Sequence, residues 1–255
     1  MLHHTQSLFY RSFYLYFGKP YMPMRAIFLT TLLLLYHLAT IAQLADDHFI
    51  SYTTTPSTIA LYWKDDRGQP LRSLQNLKQY IEKQEKTLAF GMNAGMYRPD
   101  SSPQGLFIDN GTIRQPLDTL SGGGNFYMKP NGVFYTTTSR HAGVRTTPRF
   151  TPHDTITFAT QSGPMLLIDG AIHPAFKKGS ANLNIRNGVG ILPDGQVLFA
   201  MSKEPVNFYD FAQFFLGKGC NNALYLGGFV SRTYLPAQDW KQLDGNFGVM
   251  IGVTE

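Results

Sequence analysis

Four dipeptides between residues 110 and 195 constrain the fold more than anything else in the chain. Asn110-Gly111, Asn131-Gly132, Asp169-Gly170 and Asp194-Gly195 each adjoin short apolar runs, as in "GLFIDNGTIRQ", "NFYMKPNGVFYTTT", "MLLIDGAI" and "GVGILPDGQVLFAM". Tight two-residue hairpins require positive φ in the turn, and Asn, Asp and Gly tolerate it. Four such signals in succession predict antiparallel sheet.

Helices are expected at two places. In "LRSLQNLKQYIEKQEK", Leu71 to Lys86, the residues Leu71, Leu74, Leu77 and Ile81 fall on one face with Lys and Glu opposite. In "EPVNFYDFAQFFLGKG", Glu204 to Gly219, the residues Phe208, Phe211, Ala212 and Phe215 repeat at helical spacing and Gly219 closes the segment as a C-cap. Phe49 to Trp63 reads as one or two strands, Thr87 to Tyr97 as a buried strand ending in a polar turn, and "FGVMIGV" as a buried strand near the C-terminus. The expected class is α+β, one domain with a large mixed, mainly antiparallel sheet and two principal helices.

The first 42 residues follow different rules. "MRAIFLTTLLLLYHLATIAQ", Met24 to Gln43, has a basic start, an apolar stretch from Ala26 to Leu38, and small residues before Gln43. That layout predicts a signal peptide over 24–42, cut after Ala42. The apolar stretch is short for a membrane span and carries His37. Residues 1–23 read as an extension from a start codon assigned too early. The folded domain is therefore expected over 43–255, in an exported protein that is periplasmic or secreted and has no stable membrane span after processing.

Composition narrows the function classes. Hydrophobic residues make up 43% and charged residues 15% of the 255, which suits a packed core and not a disordered chain. The net charge is +5, and three of the positive charges, Arg11, Lys19 and Arg25, precede residue 43, where there is no acid; +2 remains for the domain. No Lys/Arg run suggests a nucleic-acid surface, and no such partner is expected. The single cysteine, Cys220, cannot form an internal disulfide or a metal cluster, and it reads as packing. GxSxG, Walker A and HExxH patterns are all missing, and "SGGGNF" opens no helix, so no cofactor and no metal are expected.

Chemistry concentrates where buried runs end in small polar residues. These places are Asn93-Ala94-Gly95, Gln161-Ser162-Gly163-Pro164, Arg186-Asn187-Gly188, and the paired Gly227-Gly228 followed by Ser231-Arg232. Glycines after a strand mark close backbone approach. Asn and Ser supply neutral hydrogen-bonding groups, and Arg supplies a fork suited to phosphate. Together they describe a polar pocket for an anionic, hydroxyl-rich ligand.

Five ordered blocks, "GMNAGMY", "PQGLFIDNG", "TQSGPMLLIDG", "IRNGVGILPDGQVLFAMSKEPVNFYDFAQFF" and "CNNALYLGGFVSRTYLP", resemble the phosphodiester glycosidase family from about Thr87 onward. The resemblance implies hydrolysis of a sugar-1-phosphodiester at the sugar side, releasing a sugar such as N-acetylglucosamine from a phosphate monoester. A glycosyl phosphodiester or cell-envelope glycan is the implied partner. The family's polar positions map onto Asn93, Ser162, Arg186, Ser231 and Arg232, with Gly163 and Gly228 beside them. Arg186 or Arg232 would neutralise the departing phosphate. An oxocarbenium-like sugar carbon calls for a carboxylate nearby. The family pattern in the last block is Leu-Asp-Gly, whereas this chain has Leu226-Gly227-Gly228, so the acid is replaced by Gly227. Two functions stay open on these residues: an enzyme of this class slowed by Gly227, or a non-catalytic binding protein for glycosyl phosphates on the same fold.

Overall fold

A computed structural model describes residues 47–255. The expected start extension and the expected signal peptide, 1–23 and 24–42, lie outside the described residues.

Strands β1 (Phe49–Thr54) and β2 (Ile59–Tyr62) lead into helix α1 (Leu74–Glu82) and strand β3 (Leu88–Asn93). Next come β4 (Phe107–Asp109), β5 (Thr112–Gln115), β6 (Gly132–Thr137), β7 (Ala142–Thr146) and β8 (Ile156–Ser162). They are followed by β9 (Met165–Ile168), β10 (Ala171–Ile172), β11 (Asn187–Ile191), β12 (Val197–Ser202) and helix α2 (Phe208–Gly217). The chain ends with β13 (Ala223–Gly227), β14 (Thr233–Leu235), β15 (Trp240–Lys241) and β16 (Met250–Thr254).

The expected α+β class, with two helices, is what the chain adopts. The strands divide into three sheets instead of one. A six-stranded sheet has the order β1-β12-β11-β13-β9-β10, a five-stranded sheet β15-β14-β3-β16-β2, and a second five-stranded sheet β5-β4-β8-β6-β7. Pairing is antiparallel throughout the three. One core joins them: Ile59, Phe90 and Met92 from the second sheet meet Phe107 and Phe134 from the third and Val189, Phe199 and Leu224 from the first. Burying three sheet faces against one another removes apolar area that a single open sheet would leave in water.

Three of the four turn signals make hairpins. Asn110-Gly111 (φ 47° and 77°) joins β4 to β5, and Asp169-Gly170 (φ 48° and 81°) joins β9 to β10. Positive φ at both central residues is the type I′ turn these dipeptides favour. Gly195 (φ 84°) turns the chain from β11 into β12. Asn131-Gly132 is the exception: Asn131 is buried and Gly132 already opens β6, paired with both Thr146 and Ser162. Packing of β6 between two neighbours outweighs the local turn preference.

Both helices lie on sheet faces. Leu74, Leu77 and Ile81 of α1 pack with Leu88, Phe247 and Met250. The Ser73 hydroxyl caps α1 by accepting from the Asn76 N–H (3.2 Å). Phe211, Ala212 and Phe215 of α2 pack with Leu166, Leu167, Leu198 and Ala223 of the first sheet. Asn207 caps α2 (Asp210 N–H to Oδ1, 2.9 Å). Gly219 (φ 84°) ends it, with Gly219 N–H donating to Leu216 and Cys220 N–H to Phe215.

Candidate functional site

β13 runs through the middle of the first sheet and stops at Gly227. Near that end the register slips: Gly188 faces Tyr225, yet Asn187 faces Gly227. A bulge of this kind re-aims side chains and loosens pairing. Here it turns Asn187 toward the second sheet, where its Nδ2 donates to both the backbone oxygen (2.8 Å) and Oδ1 (2.9 Å) of Asn93, the last residue of β3. Asn93 Oδ1 also accepts from the Arg232 N–H (3.0 Å). One buried amide oxygen thereby ties β11, β3 and the segment after β13 together.

Both glycines sit where neighbouring side chains approach closely. Neither has positive φ. A Cβ at Gly227 would lie 2.5 Å from Asn93 Nδ2, 3.0 Å from Asn187 Oδ1 and 3.5 Å from Ser231 Oγ. A Cβ at Gly228 would lie 2.2 Å from the Tyr225 hydroxyl. Asn187 Oδ1 and Ser231 Oγ are buried and make no hydrogen bond. Buried polar atoms ordinarily have a partner, and these two lack one within the chain.

A cleft of about 340 Å³ opens at this point. Asn93, Gln104, Asn125, Asn184 and Tyr225 give its polar lining, Met96, Tyr97, Phe229 and Val230 its apolar lining, and Gly95, Gly227 and Gly228 its bare backbone. No charged side chain lines it. Among the described residues no three or more His, Cys, Asp or Glu side chains gather into a metal-holding group.

The expected site residues fall in three tiers around the cleft. Asn93, Gly227 and Gly228 line it. Ser231 stands behind Gly227. Arg232 contributes its backbone N–H to Asn93, while its guanidinium turns away to Asp244 (2.8 and 2.9 Å). Ser162 is fully buried beside β13, its Oγ 3.5 Å from the Leu226 oxygen, and Gly163 packs against Asn131 and the Phe126 oxygen. Neither of these two lines the cleft.

Arg186 is fully buried. Its Nε donates to the Val206 oxygen (2.8 Å) and its Nη2 to Asn182 (2.9 Å to the backbone oxygen, 3.1 Å to Oδ1). Its guanidinium carbon sits 3.6 Å over the Phe208 ring and 5.7 Å from the Tyr225 ring. Nη1 has no partner, and no carboxylate pairs with Arg186 among the described residues. Burial pulls its pKa below the ordinary arginine value, and neighbouring Tyr225 opposes that pull. The Tyr225 pKa is raised by burial, against the opposing effects of Arg186 and the Asn125 side chain. The positive charge thus does not line the cleft but lies next to Tyr225, which does.

Tyr225 and Asn125 were not singled out from the sequence, and Asn187 was named only as the neighbour of Arg186. Tyr225 sits inside the run "ALYL" and looks like core. Asn187 reads from the sequence as one polar residue of a strand end, with nothing to show that it reaches Asn93. The hint was the arginine next to Asn187: a buried Arg-Asn pair at a strand start needs partners from elsewhere in the fold. Cys220 lies under α2, away from the cleft, and burial pushes its thiol up to about 12.

The family model for phosphodiester glycosidase matches residues 86–252. Protein YigE of Escherichia coli K12, itself uncharacterized, is 37% identical over 208 residues, 80% of each chain. The chain therefore belongs to the phosphodiester glycosidase family. Among solved structures, the catalytic domain of zebrafish N-acetylglucosamine-1-phosphodiester alpha-N-acetylglucosaminidase, auto-inhibited by its pro-peptide, superposes with a TM-score of 0.56 at 12% identity. That match covers 81% of this chain and 83% of that one. A hypothetical protein from Synechocystis superposes with a TM-score of 0.50 at 13% identity, covering 81% of this chain and 59% of that one. These two likenesses concern the fold.

Proposed function

We propose that the chain binds a sugar-1-phosphodiester in the cleft at the end of β13 and hydrolyses it at the sugar side. Water adds its hydroxyl to the anomeric carbon, the bond from that carbon to the phosphate oxygen breaks, and the remaining proton goes to the phosphate monoester. One observation carries the reading: a cleft lined by neutral amides, a tyrosine hydroxyl and bare glycine backbone lies next to a buried guanidinium with no acid partner. Amides both donate to and accept from sugar hydroxyls. The buried cation favours the charge that grows on the leaving phosphate. N-acetylglucosamine is the proposed sugar, after the substrate in the zebrafish protein's name. An exported location, periplasmic or secreted, would put cell-envelope glycans within reach.

A second reading, retention of the ligand without turnover, is favoured by a different observation. No carboxylate lines the cleft, and the resemblance puts Gly227 where the family pattern has an acid. Loss of acid–base assistance alone slows such reactions about 10²–10⁴-fold. Incubating the chain with an N-acetylglucosamine-1-phosphodiester separates the two. Free sugar and phosphate monoester in equal amounts support hydrolysis. Calorimetric binding with no product supports the second reading, and neither binding nor product rejects both.

A further inference from the structure

Gly228 to Ser231 form a tight turn, closed by the Ser231 N–H donating to the Gly228 oxygen at 2.6 Å. Its two corner residues are Phe229, 86% exposed, and Val230, 42% exposed. Turn corners are ordinarily Gly, Pro, Asn, Asp or Ser, because those residues suit the backbone and the solvent. A phenylalanine and a valine there bring neither advantage. The turn is also anchored at both ends, since Gly227 and Ser231 are buried. Its tip is therefore held in place at the lip of the cleft.

The apolar character continues inward and sideways. Met96 and Tyr97 line the same cleft as Phe229 and Val230. Leu183, 53% exposed, adjoins Asn184, another lining residue. Of the five large hydrophobic side chains exposed among the described residues, two line this cleft and a third neighbours it. Scattered exposed hydrophobics need no explanation, but clustered ones at a cleft mark a surface that is covered in use. Arg232, the cation next to the turn, is closed by Asp244, so the lip offers no free basic group at that point for an anionic membrane surface.

We propose that the cleft of this chain selects phosphodiesters whose second substituent, the group beyond the phosphate, is apolar, and that Phe229 and Val230 are the residues that cover it. The proposal rests on the glycosyl-phosphodiester reading above. The polar floor holds sugar and phosphate, and the alkyl or aryl aglycone leaves the cleft along the Met96, Tyr97, Phe229 and Val230 side. Burial of each methylene against such a wall strengthens binding about fourfold when complete.

Calorimetric titration of the full chain with the methyl and the octyl phosphodiesters of N-acetylglucosamine-1-phosphate, below the micelle concentration, tests it. The octyl compound is expected to bind at least tenfold more tightly. Phe229→Ser, whose position is exposed and whose melting temperature is expected to stay unchanged, should bring the two affinities to within about threefold, and Val230→Ser should act in the same direction. Equal affinities in the unaltered chain, or a full octyl preference retained in both variants, overturn the proposal and leave the glycosyl-phosphodiester reading standing. No binding of either compound overturns both. Co-sedimentation of the unaltered chain with phosphatidylglycerol vesicles, lost in Phe229→Ser, would assign the lip to a membrane instead and also overturn it.

Discussion

Asn93 is the residue on which the site is assembled. Its buried Oδ1 accepts from Asn187 Nδ2 and from the Arg232 N–H, so truncation removes two hydrogen bonds at once and leaves Asn187 Nδ2 only the Asn93 backbone oxygen. Each buried group left unpaired costs about 1–3 kcal/mol. Asn93→Ala is expected to lower unfolding stability by about 2–4 kcal/mol, read as a drop in urea midpoint at unchanged slope. A change under 0.5 kcal/mol would mean that water replaces the lost acceptor. Asn93 and the glycine pair, singled out in the sequence as small polar residues at strand ends, line one cleft. Arg186 was legible as a charge but not as a buried one. Its seat on Phe208 and under Tyr225 depends on the placement of α2, which no local pattern near residue 186 encodes.

Elements set where those residues meet. The bulge opposite Asn187 rotates one side chain from the first sheet into contact with the second, and register slips of this kind leave no mark in an apolar run. The same limit explains Asn131-Gly132, where a hairpin dipeptide was overridden by burial within the third sheet. The helices were readable because their 3.6-residue period is long and repeated, though their ends differ: α1 begins at Leu74 after its Ser73 cap and α2 at Phe208 after its Asn207 cap, three and four residues inside the expected spans. Since Phe208, the first residue of α2, carries the Arg186 guanidinium, the cap at Asn207 also positions the buried charge. Asn207→Ala should cost about 1 kcal/mol of stability. It should also weaken binding of a glycosyl phosphodiester, whereas Ser73→Ala should cost a similar amount of stability and leave binding unchanged. Equal binding by the two cap variants would disconnect α2 from the site.

At the scale of the whole molecule, three sheets share one core, and loops between sheets are fixed by a few buried polar contacts. His173 is one of them. Its Nδ1 accepts from the Ala175 N–H (3.1 Å) and its Nε2 faces the Lys129 oxygen (3.1 Å), an arrangement that suits the neutral ring. Burial, opposed by the Lys129 contact, lowers its pKa below the ordinary 6.5. The unfolded chain therefore takes up this proton first as pH falls through about 6.5, and stability declines from there until the folded-state value is passed. The urea midpoint is expected to fall between pH 7.5 and pH 5, with a smaller fall in His173→Gln; identical slopes would remove His173 from the account.

The central claim is that the cleft at the end of β13 is a glycosyl-phosphodiester site whose turnover is limited by the glycine at 227. A carboxylate side chain there must displace the Asn93 amide, which a Cβ would approach to 2.5 Å, and such crowding costs about 1–3 kcal/mol. That loss is small beside the catalytic gain expected from a carboxylate next to the anomeric carbon. The most direct measurement is the initial rate of sugar release from an N-acetylglucosamine-1-phosphodiester by the unaltered chain and by Gly227→Asp, with folding of both checked by circular dichroism. The account predicts slow release by the unaltered chain and a rate about 10²-fold higher, or more, for the variant. Equal rates, or no release by either folded protein, would contradict it.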